Sequence, residues 1–374
     1  MLKMKSLRES LLDDELVEKT DNLIRDGILA FLVKNYKGSY KISEKPNKDD
    51  LYEVSCDDRV NIINKNIKSL TNGMFIWTTV KESFICVNCN SLISLKGAPK
   101  EVGGTFNCSY CNSLTSLEGA PENVGGDFNC SDCNSLKSLE GAPKKVDGDF
   151  DCSGCDALSS LKGASNKIDG DFYCSSNISL KSLEGAPKEI RGGFYCYDCT
   201  YLTSLEGAPE KVGGNFDCSN CQSLKTLKDA PKEVRGDFKC TNCKYLKSLE
   251  GSPKEIGGDF GCSGCDSLTS LKGAPKEVGA DFKCNSNKSL KSLEGAPKEI
   301  GGDFYCSNCD SLESLEGAPE KVGGDFYCKY NKSLKSLEGI PKEIGGDFSC
   351  HGCTSKFTKK DVKKISNVKG EIKC

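Results

Sequence analysis

Cys86-Val87-Asn88-Cys89 is the first of a series of Cys-x-x-Cys motifs, and Cys108-Ser109-Tyr110-Cys111 follows eighteen residues later. Two thiolate pairs at that separation fall within the spacing of a four-cysteine zinc site. A thiolate zinc-binding array would use Cys86, Cys89, Cys108 and Cys111, with Cys130 and Cys133 next in line. Three features weigh against that chemistry. The second Cys is replaced by Asn177, Asn287 and Asn331, and a carboxamide is a poor substitute for a zinc thiolate. The first Cys alternates with a Phe, as a small buried strand residue does. The spacing also never varies, although tandem zinc modules need no fixed pitch. Buried free thiols are therefore the leading reading, with metal ligation and disulfides as alternatives. Equivalent Cys in neighbouring coils would have Cα atoms about 4.8 Å apart, inside disulfide range.

Other chemistry is thinly represented. His351 is the single histidine, which removes most mixed Cys/His metal sites and most imidazole catalysis. There is no phosphate loop, no nucleophile–His–acid set and no zinc-protease helix. The chain is expected to be no enzyme and to need no cofactor. Lys plus Arg total 51 against 54 Asp plus Glu, a net charge of −3, so no nucleic-acid partner is expected. No apolar run approaches the roughly eighteen residues of a membrane span, and the N-terminus lacks the apolar core of a signal peptide. The expectation is a cytoplasmic protein with no membrane partner, or a virion-associated one. Its 25 cysteines would then meet a reducing medium.

The cysteines sit in a repeat. Phe recurs every 22 residues from Phe84 to Phe348, thirteen copies without insertion or deletion, each followed two residues later by a Cys. Two Leu columns run from Leu92 to Leu334 and Leu95 to Leu337, and a Val/Ile column from Val102 to Ile344. Pro follows the Leu pair in all coils but one, where Ser165 stands. Phe-x-Cys reads as a short strand with both side chains inward, Gly-Ala-Pro as a turn, and Val/Ile as a further inward edge. Of the two Gly that follow, only the second is nearly invariant along the chain, with Ala280 its one replacement. Burying Phe, two Leu and Val gains roughly 6–12 kcal/mol per coil. Ordering the backbone costs about 1–2 kcal/mol for each residue. One coil cannot fold alone, so the array must stack as one body.

The expected fold is mostly β: a right-handed, leucine-rich-repeat-like solenoid with parallel strands, about 12 coils of 22 residues, and small helical or mixed caps. The boundaries are 1–59 for an N-terminal helical and small-strand segment, 60–83 for a degenerate capping coil, 84–353 for the solenoid and 354–374 for a C-terminal cap. In the first segment Leu11, Leu12, Leu16, Leu23, Ile24, Ile28, Phe31 and Leu32 have helical spacing, and residues 39–56 read as a strand pair. In the capping coil Ile62 is expected in the Phe column and Leu70 in the first Leu column, with Met74, Phe75 and Trp77 as a lid. Thr358-x-x-Asp361 reads as a helix start followed by Val362 and Ile365 on one face. The lysines of that tail read as a solvated capping face, with a docking patch for an anionic partner as the alternative.

The order Phe-x-Cys-x-x-(Cys/Asn)-x-x-Leu-x-x-Leu resembles leucine-rich-repeat proteins, especially the short-repeat bacterial type with Pro after the second Leu. The resemblance covers about residues 60–353. It implies that the second Cys or Asn lies inward and satisfies backbone groups at a tight bend. Two spacings depart from the family pattern: Val to Phe is four residues rather than three, and Cys/Asn to Leu three rather than two. The wording GAPKEVGGDF-x-CS-x-C is also similar to repeats in proteins of large phages and gut bacteria.

The position before Phe is Asp in nine of thirteen coils, six of them consecutive from Asp237 to Asp347. Unit charges 4.8 Å apart repel by about 0.9 kcal/mol even in a water-like dielectric, so the column needs compensation. Each Asp is expected to accept a backbone N–H at the Gly-Gly turn, or to face a row of cations. The position between Phe and Cys is the least constrained. It carries Tyr173, Tyr195, Tyr305 and Tyr327 in two neighbouring pairs, with Lys239 and Lys283 between them and Tyr197 and Tyr330 nearby. These eight residues are the candidate binding set, since Tyr offers large contact area at low entropic cost; cross-strand stacking is the purely structural alternative. The expected function is a non-enzymatic scaffold that presents a rigid repeat face to a protein partner. The alternatives are the zinc array and a structural or adhesive component of a phage virion or cell surface.

Overall fold

A computed structural model describes residues 14–36, 39–71, 73 and 75–374. The chain divides into two compact units, Met1–Gly170 and Asp171–Cys374. Leu11, Leu12 and Met74 lie outside the described residues, as does the side chain of Leu16.

Both units are built from one kind of coil. Each coil carries a two-residue strand beginning at Phe and another ending at Val or Ile, and each strand pairs parallel and in register with its equivalent one repeat away. In the second unit Phe194 faces Phe216 and Phe216 faces Phe238, while Ile190 faces Val212 on the other ladder. The Phe-type ladder has five strands in the first unit and ten in the second, so the coils number about fifteen rather than twelve. Thirteen of these strands begin at the repeated Phe, and the other two lie in segments assigned to the caps, which pair as coils at each end.

Two backbone devices bend each coil. The residue before the second Cys is left-handed throughout, from Asn88 at φ 57° to Gly352 at φ 75°. Asn, Asp, Ser or Gly fill this position except at Tyr110 and Tyr330, both at φ 57°. A second left-handed position precedes Ala-Pro and is Gly except at Asp229 (φ 67°). Between the bends Phe, Leu and Cys are sealed in the core. Phe rings stack down the second unit with centroids 5.0–5.8 Å apart.

The N-terminal segment is part of this stack. Helix α1 (Asp14–Asn35) buries Ile28 and Leu32, whereas Leu23 is 73% exposed and does not join the apolar face. Strand β1 (Tyr40–Ile42) pairs antiparallel with β2 (Tyr52–Cys56), as the 39–56 hairpin reading expects. Strand β3 (Val60–Asn61) then begins the Phe ladder, and β4 (Phe75–Val80) runs parallel to β2. Val60 faces Phe84, so Val60 and not Ile62 occupies the Phe column. Ile62 takes the place of the first Cys, because this coil is two residues longer than the rest. Trp77 is buried against Phe84, Phe75 and Tyr36, with centroids 5.5–5.8 Å apart.

At the other end, helix α2 (Lys359–Ile365) starts at Thr358 with the reciprocal Thr358–Asp361 capping box. Val362 is buried, but Ile365 is 49% exposed and turns away from it. The chain then re-enters both ladders, Asn367–Val368 beside Glu343–Ile344 and Ile372–Lys373 beside Phe348–Ser349.

Candidate functional site

Seven of the ten Phe-type strands of the second unit carry a half-buried outward residue between Phe and the next inward position. Register places them in one file: Tyr173, Tyr195, Asp217, Lys239, Gly261, Lys283, Tyr305, Tyr327, Ser349 and Lys373, where only Gly261 and Ser349 are buried and Lys373 is exposed. Six of the eight candidate residues thus share a single strip. Tyr197 and Tyr330 lie beyond the inward Cys on their own coils, Tyr330 at a left-handed bend and packed edge-on against His351.

The Asp column runs beside this file, and its compensation is specific. One oxygen of each carboxylate accepts the backbone N–H of the equivalent residue one coil further on. Asp259 donates its N–H to Asp237 Oδ1 at 2.9 Å, Asp281 to Asp259 at 3.0 Å, and Asp325 to Asp303 at 2.7 Å. The other oxygen faces the strip. Tyr173 Oη donates to Asp171 Oδ2 at 2.8 Å, Tyr305 to Asp303 at 2.7 Å, and Tyr327 to Asp325. Lys239 pairs with Asp237 at 2.9 Å, and Lys283 bridges Asp259 and Asp281. Both sequence readings of the Asp column therefore hold together: it caps backbone, and it faces cations and hydroxyls. The capping reaches across to the next coil, a contact that reading one coil in isolation cannot reveal.

That contact also explains the glycine that follows Val-Gly. A Cβ at Gly324 would meet Asp303 Oδ1 at 2.1 Å and the Gly302 carbonyl carbon at 2.9 Å. At the preceding Gly a Cβ would meet a carbonyl oxygen as well, that of Arg191 at 2.0 Å above Gly213. Asp147, Asp169, Arg191 and Arg235 occupy that same position, so a side chain is accommodated there. Ala280 is the one break in the second position. Beside it the Val/Ile ladder is interrupted between Glu277–Val278 and Glu299–Ile300, and an open groove lies along that edge.

The tyrosines form two stacked pairs. Tyr173 and Tyr195 have centroids 4.8 Å apart at 9°, and Tyr305 and Tyr327 lie 4.9 Å apart at 18°. Tyr195 lies over Gly193, where the Asp column is interrupted: a Cβ there would meet its ring at 2.7 Å. Lys329 Nζ sits 4.5 Å from the Tyr327 ring centroid. The hydrogen bond to Asp325, with burial, pushes the Tyr327 hydroxyl up to about 12. Burial, with the bond to Asp303, raises that of Tyr305 as well. These phenols are neutral donors at physiological pH. Their rings offer flat, partly apolar area.

The cysteines are arranged differently. Twenty-three of the 25 are buried, Cys86, Cys89, Cys108, Cys111, Cys130 and Cys133 among them. Second-column thiols donate to the carbonyl of the first Cys one coil back: Cys111 to Cys86 at 3.0 Å and Cys133 to Cys108 at 3.2 Å. Asn331 makes the same bond to Cys306 O at 3.0 Å and adds one to its own coil at Cys328 O. Its Oδ1 also accepts the Cys309 N–H at 2.7 Å. Cys and Asn alternate because both can donate at this bend. Burial pushes the thiols of Cys199 and Cys309 up to about 12, which disfavours the thiolate a metal requires. Among the described residues no three His, Cys, Asp or Glu side chains are grouped to hold a metal ion.

Sequence reasoning missed Tyr201 and Tyr245, each 60% exposed on coils two repeats apart. The signal was present, since both immediately precede a core Leu where other coils carry Ser or Ala. Among the described residues no helix is long and apolar enough to cross a membrane.

No protein-family model matches this chain, and no curated protein does. Among solved structures, a leucine-rich repeat protein from Bacteroides ovatus is similar to it at 15% identity and a TM-score of 0.32, covering 89% of this chain and 98% of its own. By its own Leu columns and paired strands, the chain is a leucine-rich-repeat-like solenoid of parallel coils at a 22-residue spacing.

Proposed function

We propose that this protein is a non-enzymatic interaction scaffold and that a protein partner docks on the outward strip of the second unit. The observation that carries this reading is the pair of Tyr stacks, Tyr173–Tyr195 and Tyr305–Tyr327, half-buried on one parallel sheet with Lys239 and Lys283 between them. The other columns are dictated by the fold: Phe, Leu and Cys by the core, Asp and the second Gly by the coil-to-coil contact. The strip file is under weaker demand, since Asp237 is satisfied by a Lys and Asp303 by a Tyr. Rigid, stacked aromatic area with little rotamer entropy left to lose is suited to binding a protein surface.

A photo-crosslinking side chain at position 195 or 327, compared with one at position 255 on the other ladder, tests the reading in the cell of origin. A protein captured from the strip positions and not from the control supports it, provided Tyr195→Ala with Tyr327→Ala weakens that complex while thermal stability holds. Equal capture from both faces, or unfolding of the double variant, refutes it.

A further inference from the structure

Cys374 differs from every other cysteine in the chain because its side chain is exposed. It is nevertheless a member of the first Cys column. Phe348 faces Ile372 and Ser349 faces Lys373 in a parallel pairing, and Cys350 N donates to Lys373 O at 2.8 Å. Continuing that register by one residue sets Cys374 beside Cys350. In-register Cα atoms on adjacent strands are about 4.8 Å apart, within the disulfide range. Earlier members of the column have the same spacing but are sealed between coils. Cys350 is only 3% exposed, so an external reagent reaches it only through its neighbour. Cys353 is half-buried, and its thiol is turned to the Cys328 carbonyl at 3.2 Å. The pair thus couples an accessible thiol to a protected one.

We propose that Cys374 is a modification site for low-molecular-weight disulfides and that Cys350 resolves the adduct into a Cys350–Cys374 disulfide. The Cys374 thiol loses its proton and attacks one sulfur of the external disulfide. A new Sγ–S bond forms, and the first small thiolate leaves with the electron pair and takes up a proton. Cys350 then loses its proton and attacks Cys374 Sγ, and the second small thiolate leaves and is protonated. Two protein thiols are oxidised, and one external disulfide is reduced to two thiols. Oxidation ties Ile372–Cys374 to the Phe348–Cys350 strand covalently, so the last pairing of this ladder becomes redox-dependent. Exposure and a neighbouring resolving thiol are two features that redox-responsive cysteines share.

The test is exposure of the fully reduced native protein to oxidised glutathione, followed by peptide mass spectrometry without reduction. The expected product is a linked pair of peptides containing Cys350 and Cys374, with no glutathione retained. Cys350→Ser should instead accumulate glutathione on Cys374, Cys353→Ser should close like the unaltered protein, and Cys374→Ser should lose both products. Persistent glutathione on Cys374 of the unaltered protein overturns the resolving role of Cys350. Closure to Cys353, or no reaction at Cys374, overturns the assignment as well. Should Cys350→Ser fail to fold, the Cys353→Ser and unaltered proteins still decide between the two resolving thiols.

Discussion

Gly324→Ala tests the coil-to-coil contact directly. Gly324 does not have a positive φ, so alanine carries no backbone penalty and would ordinarily stabilise by about 0.4–1 kcal/mol through the unfolded chain. Here the new methyl meets Asp303 Oδ1 at 2.1 Å and the Gly302 carbonyl at 2.9–3.0 Å. The carboxylate must shift, which weakens its charge-assisted bond to the Asp325 N–H, worth about 1.5–3 kcal/mol in full; beside Ala280 the equivalent Asp281 N–H still reaches Asp259 Oδ1 at 3.0 Å. The Gly324 N–H bond to Gly302 O, 2.9 Å long, is also strained, at about 0.5–1.5 kcal/mol. The net expectation is a loss of up to about 4 kcal/mol. Long repeat arrays can lose all-or-none unfolding, so urea titration should be paired with amide exchange. Exchange is expected to accelerate at Asp325 and Gly324 and to stay unchanged several coils away. A variant as stable as the parent, with both amides equally protected, would refute the argument. Ala280 is the natural version of this experiment: its N–H bond to Gly258 O is stretched to 3.2 Å, and the neighbouring ladder is broken. Ala280→Gly should therefore slow exchange at Gly301.

Native alkylation with a bulky reagent should modify Cys374 first and Cys353 more slowly, and the remaining thiols only after unfolding; rapid labelling of most of them would contradict the buried columns. Tyr330→Asn relieves a bulky residue at φ 57° and should stabilise by about 1 kcal/mol, measured by thermal melting, while weakening any partner that uses this ring. Leu224→Ala, at a fully buried position, should cost about 2–5 kcal/mol in a urea titration. Because Cys199, Cys309 and Tyr327 all have raised values when folded, near 12, their contribution is complete at neutral pH. It is lost as pH rises from the ordinary thiol and phenol range towards that value, which circular dichroism on an alkaline titration would follow.

Much of the coil was legible because its demands are local and repeated. Phe-x-Cys alternation announced inward strand residues, and Cys exchanging with Asn pointed to a bend donor rather than a ligand. Contacts between coils were harder to read. The Asp-to-N–H bond joins residues 22 apart, and nothing within one repeat reveals that the following Gly makes room for it. The ends were misjudged for a related reason. Val60 pairs as a coil member although the residues around it share no column wording, because strand pairing asks only for backbone and an inward apolar side chain. At the other end the wording was present but altered: Val368, Gly370, Ile372 and Cys374 keep their columns, with Ile in place of Phe and Glu371 in place of Asp. In the strip, the Tyr and Lys positions stood out by their variability, but their bonds to the Asp column needed coordinates.

The uniformity of the contacts between coils has a genetic consequence. Asp Oδ1 to the next N–H, second Cys to the previous carbonyl and Phe on Phe all join a coil to its immediate neighbour. Removing or duplicating any 22-residue block within the second unit recreates the same junction, so misaligned recombination between near-identical repeats yields an in-frame chain that still closes its contacts. The number of coils is then a quantity that inheritance can adjust in whole steps, and the distance between the two tyrosine stacks would be adjusted with it.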